Sequence, residues 1–334
     1  MSPIEITLIT GHRDQSRATI ARRRAREQRC THVSATARGR TSSIEDVVDV
    51  AHAAPDAGRL VAEIPADSRI EAAIGALAGD ATTTLVELVC VVDARTFTQD
   101  LMADDYITAS DADVTVFVAR ALRLVQHIEH ASTVLVFDWE AIATRDLSML
   151  LAVLSHLAPA ARIGLDRAGA PAGFPAYSES THQPGWVHLL NDEHDPHMRD
   201  ARVSAFRYER LRPFHPERLN RLLEEDLGEG RYGAILRSAG FCRLATRPGI
   251  VGSWDQVGQM ISLAPLVRDN DSPTPPLALG QDLGFIGIDM DFPRLTAGLD
   301  SALLDDDELL SDARTWTTFG DPFPRWAIHA HSDD

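Results

Sequence analysis

Over its first 165 residues the chain alternates short apolar runs with helical patterns. The runs are Ile4–Thr10, Arg59–Ile64, Leu85–Val92, Val114–Val118, Thr133–Phe137 and Ala161–Leu165. Helical spacing of apolar residues fills the intervals at Ser16–Gln28, Ser68–Leu77, Arg120–Glu129 and Leu147–Leu157. Strands separated by helices call for a parallel sheet with both faces covered. Such a sheet presents its ligand site beyond the carboxyl ends of the strands. Gly11 stands at one of those ends, directly after the first run.

The pattern breaks near Gly164. From there to about Arg202 the chain is rich in Gly, Pro, Ser and His and has no clear periodicity, so residues 166–201 read as a linker. The alternation before it assigns residues 1–165 to a Rossmann-like domain. A smaller α+β domain is expected over 202–330. Its strands are Val203–Arg210, Tyr232–Arg237, Cys242–Ala245 and Leu283–Asp289, with helices over Pro216–Leu227 and Pro293–Leu303. Asn270–Pro276 reads as a loop within it.

With 334 residues, 44% of them hydrophobic, there is enough apolar material for two cores. No apolar run approaches the roughly 18 residues that cross a bilayer, so no membrane association is expected. The N-terminus begins directly with a strand and lacks the pattern of a signal peptide. Three scattered cysteines, Cys30, Cys90 and Cys242, make a disulfide framework unexpected and the cytoplasm the default location. The formal charge of −17 is uneven. Residues 1–40 carry nine arginines against three acids, while the remaining chain holds 23 basic and 46 acidic residues. An acidic body argues against general DNA binding, which needs phosphate neutralisation. The basic block is either a solvated helix face or a contact for phosphate or RNA.

The order of short motifs resembles the CobW-type family of metallochaperone GTPases over nearly the whole chain. Phe206-Arg-Tyr-Glu-Arg-Leu-Arg-Pro-Phe-His-Pro-Glu-Arg218 is similar to that family's entry into its C-terminal domain. Ala234–Arg247 is similar to its central hairpin. Phe285–Asp291, Leu299–Leu304 and Asp321–Trp326 are similar to its closing elements. In the first domain, Leu88–Phe97 keeps a "V-V-D-A-x-x-F" strand, and Gln126-His-Ile-Glu-His-Ala131 is similar to the family's "Q-I-E-x-A-D" helix end. The resemblance implies a P-loop GTPase-type domain followed by a CobW C-terminal domain.

The chemical positions depart from the family pattern. Gly11-His-Arg-Asp-Gln-Ser-Arg-Ala-Thr19 stands where the family has "G-x-x-G-x-G-K-T-T". A P-loop uses glycines so that successive N–H groups can point at phosphates. Asp14 and Ser16 replace two of them, and Asp14 adds negative charge. Arg17 replaces the phosphate-reaching lysine, with a planar fork in place of a point charge. The chain contains no lysine at all. Ala18 replaces the Mg²⁺-ligating hydroxyl, part of the metal clamp that phosphoryl transfer needs. Glu63 is kept, but the Thr-Gly pair that follows it in the family is Ile64-Pro65. The guanine-reading "N-K-x-D" is Phe137-Asp-Trp-Glu140, in which Glu140 alone could mimic the family's acid. The family's cysteine metal motif is missing, since no cysteine lies between Cys30 and Cys90.

What remains of a nucleotide site is therefore Gly11, Arg17, Thr19, Glu63 and Glu140. At most weak binding of GTP·Mg²⁺ or Zn²⁺ is expected, with no catalytic residue. His182, His188, His194 and His197 are the remaining metal candidates. They either hold Zn²⁺ or Ni²⁺ weakly or make local hydrogen bonds in a polar connection. His127 and His130 flank a helix end and read as capping or surface residues. These features predict a pseudo-GTPase acting as a binding or recruitment factor in zinc homeostasis, with a protein or ribosomal partner. Degenerate members of the family type include a ribosome-hibernation recruitment factor, to which this chain is similar in domain order and closing motifs. The alternative is a divergent GTP-dependent zinc metallochaperone.

Overall fold

A computed structural model describes residues 3–33, 47–49, 52, 58–111, 114–167, 177–269 and 278–326. The chain divides into two compact units, Met1–Gly185 with Asp195–Asp200, and Trp186–His194 with Ala201–Asp334.

In the first unit, β1 (Ile4–Gly11) is buried along almost its whole length because helices cover both faces of its sheet. Ile4, Ile6 and Leu8 pack with Leu60, Ala62 and helix α2 (Ile70–Gly79) on one side. Ile9 meets Ile20, Ala21 and Ala25 of helix α1 (Asp14–Gln28) on the other. The six-stranded sheet runs β2 (Thr31–Val33), β3 (Arg59–Glu63), β1, β4 (Thr83–Asp93), β7 (Thr133–Phe137), β8 (Arg162–Leu165). Every pairing in it is parallel. β1 has β3 on one side and β4 on the other, so the order reverses at its carboxyl end. That is the switch point where an open α/β sheet forms a crevice, and Gly11 and Glu63 both reach it.

Val114–Val118 departs from expectation. It belongs to β6 (Val114–Ala119), which pairs antiparallel with β5 (Tyr106–Asp111) in a hairpin separate from the main sheet. An apolar run of five residues specifies a strand but not its partner. Between β4 and this hairpin lies the short helix α3 (Phe97–Leu101), and after it come α4 (Arg120–Glu129) and α5 (Thr144–Leu157).

The stretch read as a linker contains helix α6 (Gly185–Leu190) and contributes to both units. Trp186 and Leu189, three residues apart on α6, lie against Gly284, where an added Cβ would sit 3.3 Å from Trp186 and 3.2 Å from Leu189.

The second unit is a five-stranded antiparallel sheet, ordered β12 (Met260–Arg268), β11 (Ile250–Val257), β10 (Ala234–Cys242), β13 (Gln281–Ile288), β9 (Val203–Arg210). The two strands expected at Tyr232–Arg237 and Cys242–Ala245 are a single strand, β10, ending at Cys242. The β11–β12 hairpin has no counterpart among the expected strands. Helices α7 (Pro216–Arg221) and α8 (Phe292–Ser301) follow β9 and β13, with α9 (Asp306–Leu310) and α10 (Ala313–Trp316) beyond. The core is aromatic: Tyr208, Phe214, Trp254 and Phe285 are all buried. The Asn270–Pro276 loop lies outside the described residues.

Candidate functional site

Gly11 ends β1 with φ +147°, and a Cβ there would approach the Val91 carbonyl oxygen to 2.4 Å. Only glycine tolerates both conditions. Two residues, His12 and Arg13, then join β1 to α1. The Arg17 N–H already donates to the Arg13 carbonyl at 3.0 Å, so the helix begins three residues before the position of the family's lysine. Segment 14–16, which would form a phosphate-cradling loop, is wound into the first helical turn. Asp14 sits at its start, where a carboxylate is favoured by the helix dipole and an incoming phosphate would be repelled.

Arg17 is almost fully buried. Its Nη1 donates to the Gly11 carbonyl at 2.8 Å and its Nη2 to Asp14 Oδ1 at 2.8 Å. Its Nε lies 3.7 Å from Glu63 Oε2. Glu63 is equally buried at the end of β3, opposite Ile9 in register. His32 Nε2 stands 3.4 Å from Glu63 Oε1. The guanidinium therefore fills the crevice at the switch point and binds its own chain. Arg17 Nε, Glu63 Oε1 and His32 Nε2 are buried without a hydrogen-bond partner among the described residues. This polar demand is far too small for a triphosphate.

Thr19 is not part of this group. Two residues along a helix turn a side chain by about 200°, and Thr19 is exposed, its hydroxyl donating to the Gln15 carbonyl at 2.7 Å. Glu140 lies at the end of β7, two strands and about 10 Å across the sheet from β1. It is exposed on a short 3₁₀ turn, Trp139–Ala141, that follows Asp138 in the left-handed region at φ +53°. Where a base-reading loop would be, Trp139 Nε1 donates to the Asp166 carbonyl at 3.0 Å, and the Arg167 guanidinium covers the Trp139 ring at 5.1 Å. Of the five vestigial residues, only Gly11, Arg17 and Glu63 come together. They do not fit a nucleoside triphosphate with its Mg²⁺.

His127 corrects another expectation. It is a core residue, not a cap. Its Nε2 lies 2.9 Å from the Ser68 carbonyl, which can only accept, so Nε2 carries the proton. Its Nδ1 then accepts from Thr10 Oγ1 at 2.5 Å. Burial lowers its pKa to about 4, so the ring is neutral near pH 7. The sequence carries a signal for this: an i, i+4 stripe of Arg123, His127 and Ala131 runs beside Leu124 and Ile128.

The linker histidines are not gathered. His182 is buried, stacks on Tyr177 at 5.3 Å and has Nδ1 beside the backbone of Ser178. His197 Nδ1 pairs with Ser155 Oγ at 3.1 Å. Both belong to the first unit, while His188 and His194 belong to the second. Among the described residues no three His, Cys, Asp or Glu side chains are grouped to hold a metal ion. His182 and His197 make local hydrogen bonds and ring contacts within the first unit.

The first unit is an α/β unit with a switch-point crevice, and the second is a five-stranded antiparallel sheet with helices. Residues 203–303 match the family described as "Cobalamin synthesis protein cobW C-terminal domain". The chain is 24% identical over 269 residues to "Zinc-regulated GTPase metalloprotein activator 1" of Dictyostelium discoideum, covering 72% of this chain. It spans 56% of the length of that relative. Among solved structures it is similar to the Zn(II)-bound YjiA GTPase of E. coli, at 16% identity and a TM-score of 0.40 over 91% of this chain and all of that one. It is also similar to a Zn(II)-bound triple mutant of YjiA, at 15% identity and a TM-score of 0.41, again over 91% of this chain and 100% of that one. Residues 203–303 are thus a CobW C-terminal domain, and the rest of the chain is similar to the proteins named above.

Proposed function

We propose that this protein is a pseudo-GTPase that works by binding a macromolecular partner in zinc homeostasis, as a recruitment factor on the ribosome during zinc limitation. One observation carries the loss of nucleotide chemistry: Arg17 is folded back onto the Gly11 carbonyl, Asp14 and Glu63. Displacing it would expose a buried carboxylate, and opening the crevice would require unwinding the first turn of α1. The zinc context comes from the printed name of the Dictyostelium relative. Isothermal titration of the full chain with GTP·Mg²⁺ and with Zn²⁺ tests the reading. No heat of binding to GTP·Mg²⁺ at micromolar concentration is expected. Micromolar GTP binding that Arg17→Ala abolishes would overturn it. Affinity capture from zinc-starved cells should recover ribosomal components, and their absence would remove the recruitment role.

A second reading, a divergent GTP-dependent zinc metallochaperone, draws on the same relative. It requires that nucleotide expel Arg17 from the crevice, and the same titration separates it from the first.

A further inference from the structure

The arginines around helix α1 fall into two sets. Arg13, Arg17, Arg23 and Arg24 each face a carboxylate: Asp100, Asp14 with Glu63, Asp166, and Glu87 respectively. Arg22, Arg26 and Arg29 are exposed and have no acidic partner among the described residues. Arg22 and Arg26 are one turn apart on a single face of α1, and Arg29 caps the helix C-terminus in the left-handed conformation at φ +53°. Glu27, the one acid nearby on α1, leans toward Arg23 at 3.9 Å. The three arginines line a cleft of about 350 Å³ together with Cys30 and His32. His32 belongs to β2, the edge strand of the sheet.

We propose that this cleft binds the phosphodiester backbone of single-stranded RNA. In a chain of charge −17, three arginines lining one cleft, with no carboxylate against them among the described residues, are a focused attraction for a polyanion. A compact anion does not suit the place. The arginines lie toward the carboxyl end of α1, where the helix dipole disfavours an isolated negative charge. Their spread matches successive phosphates along a strand better than one phosphate. Double-stranded DNA is disfavoured by the acidic remainder of the chain, whereas an RNA loop offers a short accessible strand. The inference deepens the partner half of the proposed function. It is tested with RNA alone, so its failure leaves the closed nucleotide crevice untouched.

The test is fluorescence anisotropy of a labelled single-stranded RNA 12-mer with the full chain between 50 and 200 mM salt. The variant Arg22→Gln/Arg26→Gln/Arg29→Gln should bind at least tenfold more weakly. Its slope of log affinity on log salt should be shallower by about 2, since each phosphate contact on a single strand contributes about 0.7. Arg26→Gln alone should remove about a third of that slope, which keeps the test open if the triple variant fails to fold. Arg199→Gln should change neither quantity. Failure of the unaltered chain to bind RNA would overturn the proposal. So would an unchanged slope in the folded triple variant, or poly-glutamate competing as well as RNA.

Discussion

The carboxyl end of the parallel sheet and the core of the antiparallel unit have treated their polar residues differently. In the second unit, polar groups on the strands serve architecture. Trp254 Nε1 donates to Ser238 Oγ at 2.8 Å inside the aromatic core. Tyr208 and Arg210 both bond Asp300, and the Gln281 amide donates to the carbonyls of Arg212 and Arg243. At the switch point of the first unit, Arg17 turns back onto the Gly11 carbonyl and Asp14. Two strands away, beyond β7, the exposed Arg167 guanidinium covers the half-buried Trp139 ring. The difference teaches that burial alone does not satisfy a polar group. Trp254, Tyr208 and Gln281 find partners, whereas Arg17 Nε, Glu63 Oε1 and His32 Nε2 remain without a hydrogen bond among the described residues, a cost the packing around them must offset.

Four measurements would break or sharpen this contrast. Removing the largest buried side chain of the second unit, Trp254→Ala, should cost about 3–5 kcal/mol, read as a lowered urea midpoint. A loss under about 1 kcal/mol would mean that the aromatic cluster is not the unit's core. Arg17→Ala should cost about 3 kcal/mol, because it strands Glu63 as an unpaired buried charge. If stability is unchanged, Arg17 does not close the crevice. His127 supplies a pH signature of the first unit. Its pKa is depressed to about 4 from an ordinary value near 6.5. The unfolded state therefore binds the extra proton, and stability falls as pH drops from 6.5 towards 4, by roughly 3 kcal/mol. His127→Gln should flatten that part of the profile, and an identical profile in the variant would exclude the assignment. The smallest effect belongs to the capping box at the start of α9, where Asp305 Oδ1 accepts from the Glu308 N–H and Glu308 Oε2 from the Asp305 N–H. Asp305→Ala should cost about 1 kcal/mol, measured by thermal melting.

Much of the first unit was legible in the sequence because a strand buried on both faces reads as a continuous apolar run. β1, β3, β4 and β7 show that run, whereas the edge strand β8, Arg162-Ile-Gly-Leu165, shows it only weakly. Pairing partners were less legible. The Val114 strand has the same local pattern as its neighbours, yet pairs in a hairpin with Tyr106–Asp111. β11 carries mixed polarity; β12, Met-Ile-Ser-Leu-Ala-Pro-Leu-Val-Arg, is largely apolar, yet it contains a proline, which argues against a strand from sequence, and its residues are half-buried or exposed. Helix α6 is only six residues long, too short for a periodic pattern to emerge. At the candidate site the lost glycines, lysine, hydroxyl and cysteines were visible by residue type alone. The histidines left two readings open, because closeness along the chain does not say which side chains meet in space.

The sequence by itself determined that the turn after β1 lacks the glycines, lysine and hydroxyl of the pattern it resembles. Asp14, Ser16, Arg17 and Ala18 stand in their places, whatever shape the turn adopts. Only the tertiary structure decided what Arg17 does with its charge and which arginines of α1 meet a carboxylate. Glu63, Asp166 and Glu87 come from distant parts of the chain. Whether a guanidinium finds one of them depends on strand order and helix packing, which bring remote residues together by burying apolar surface.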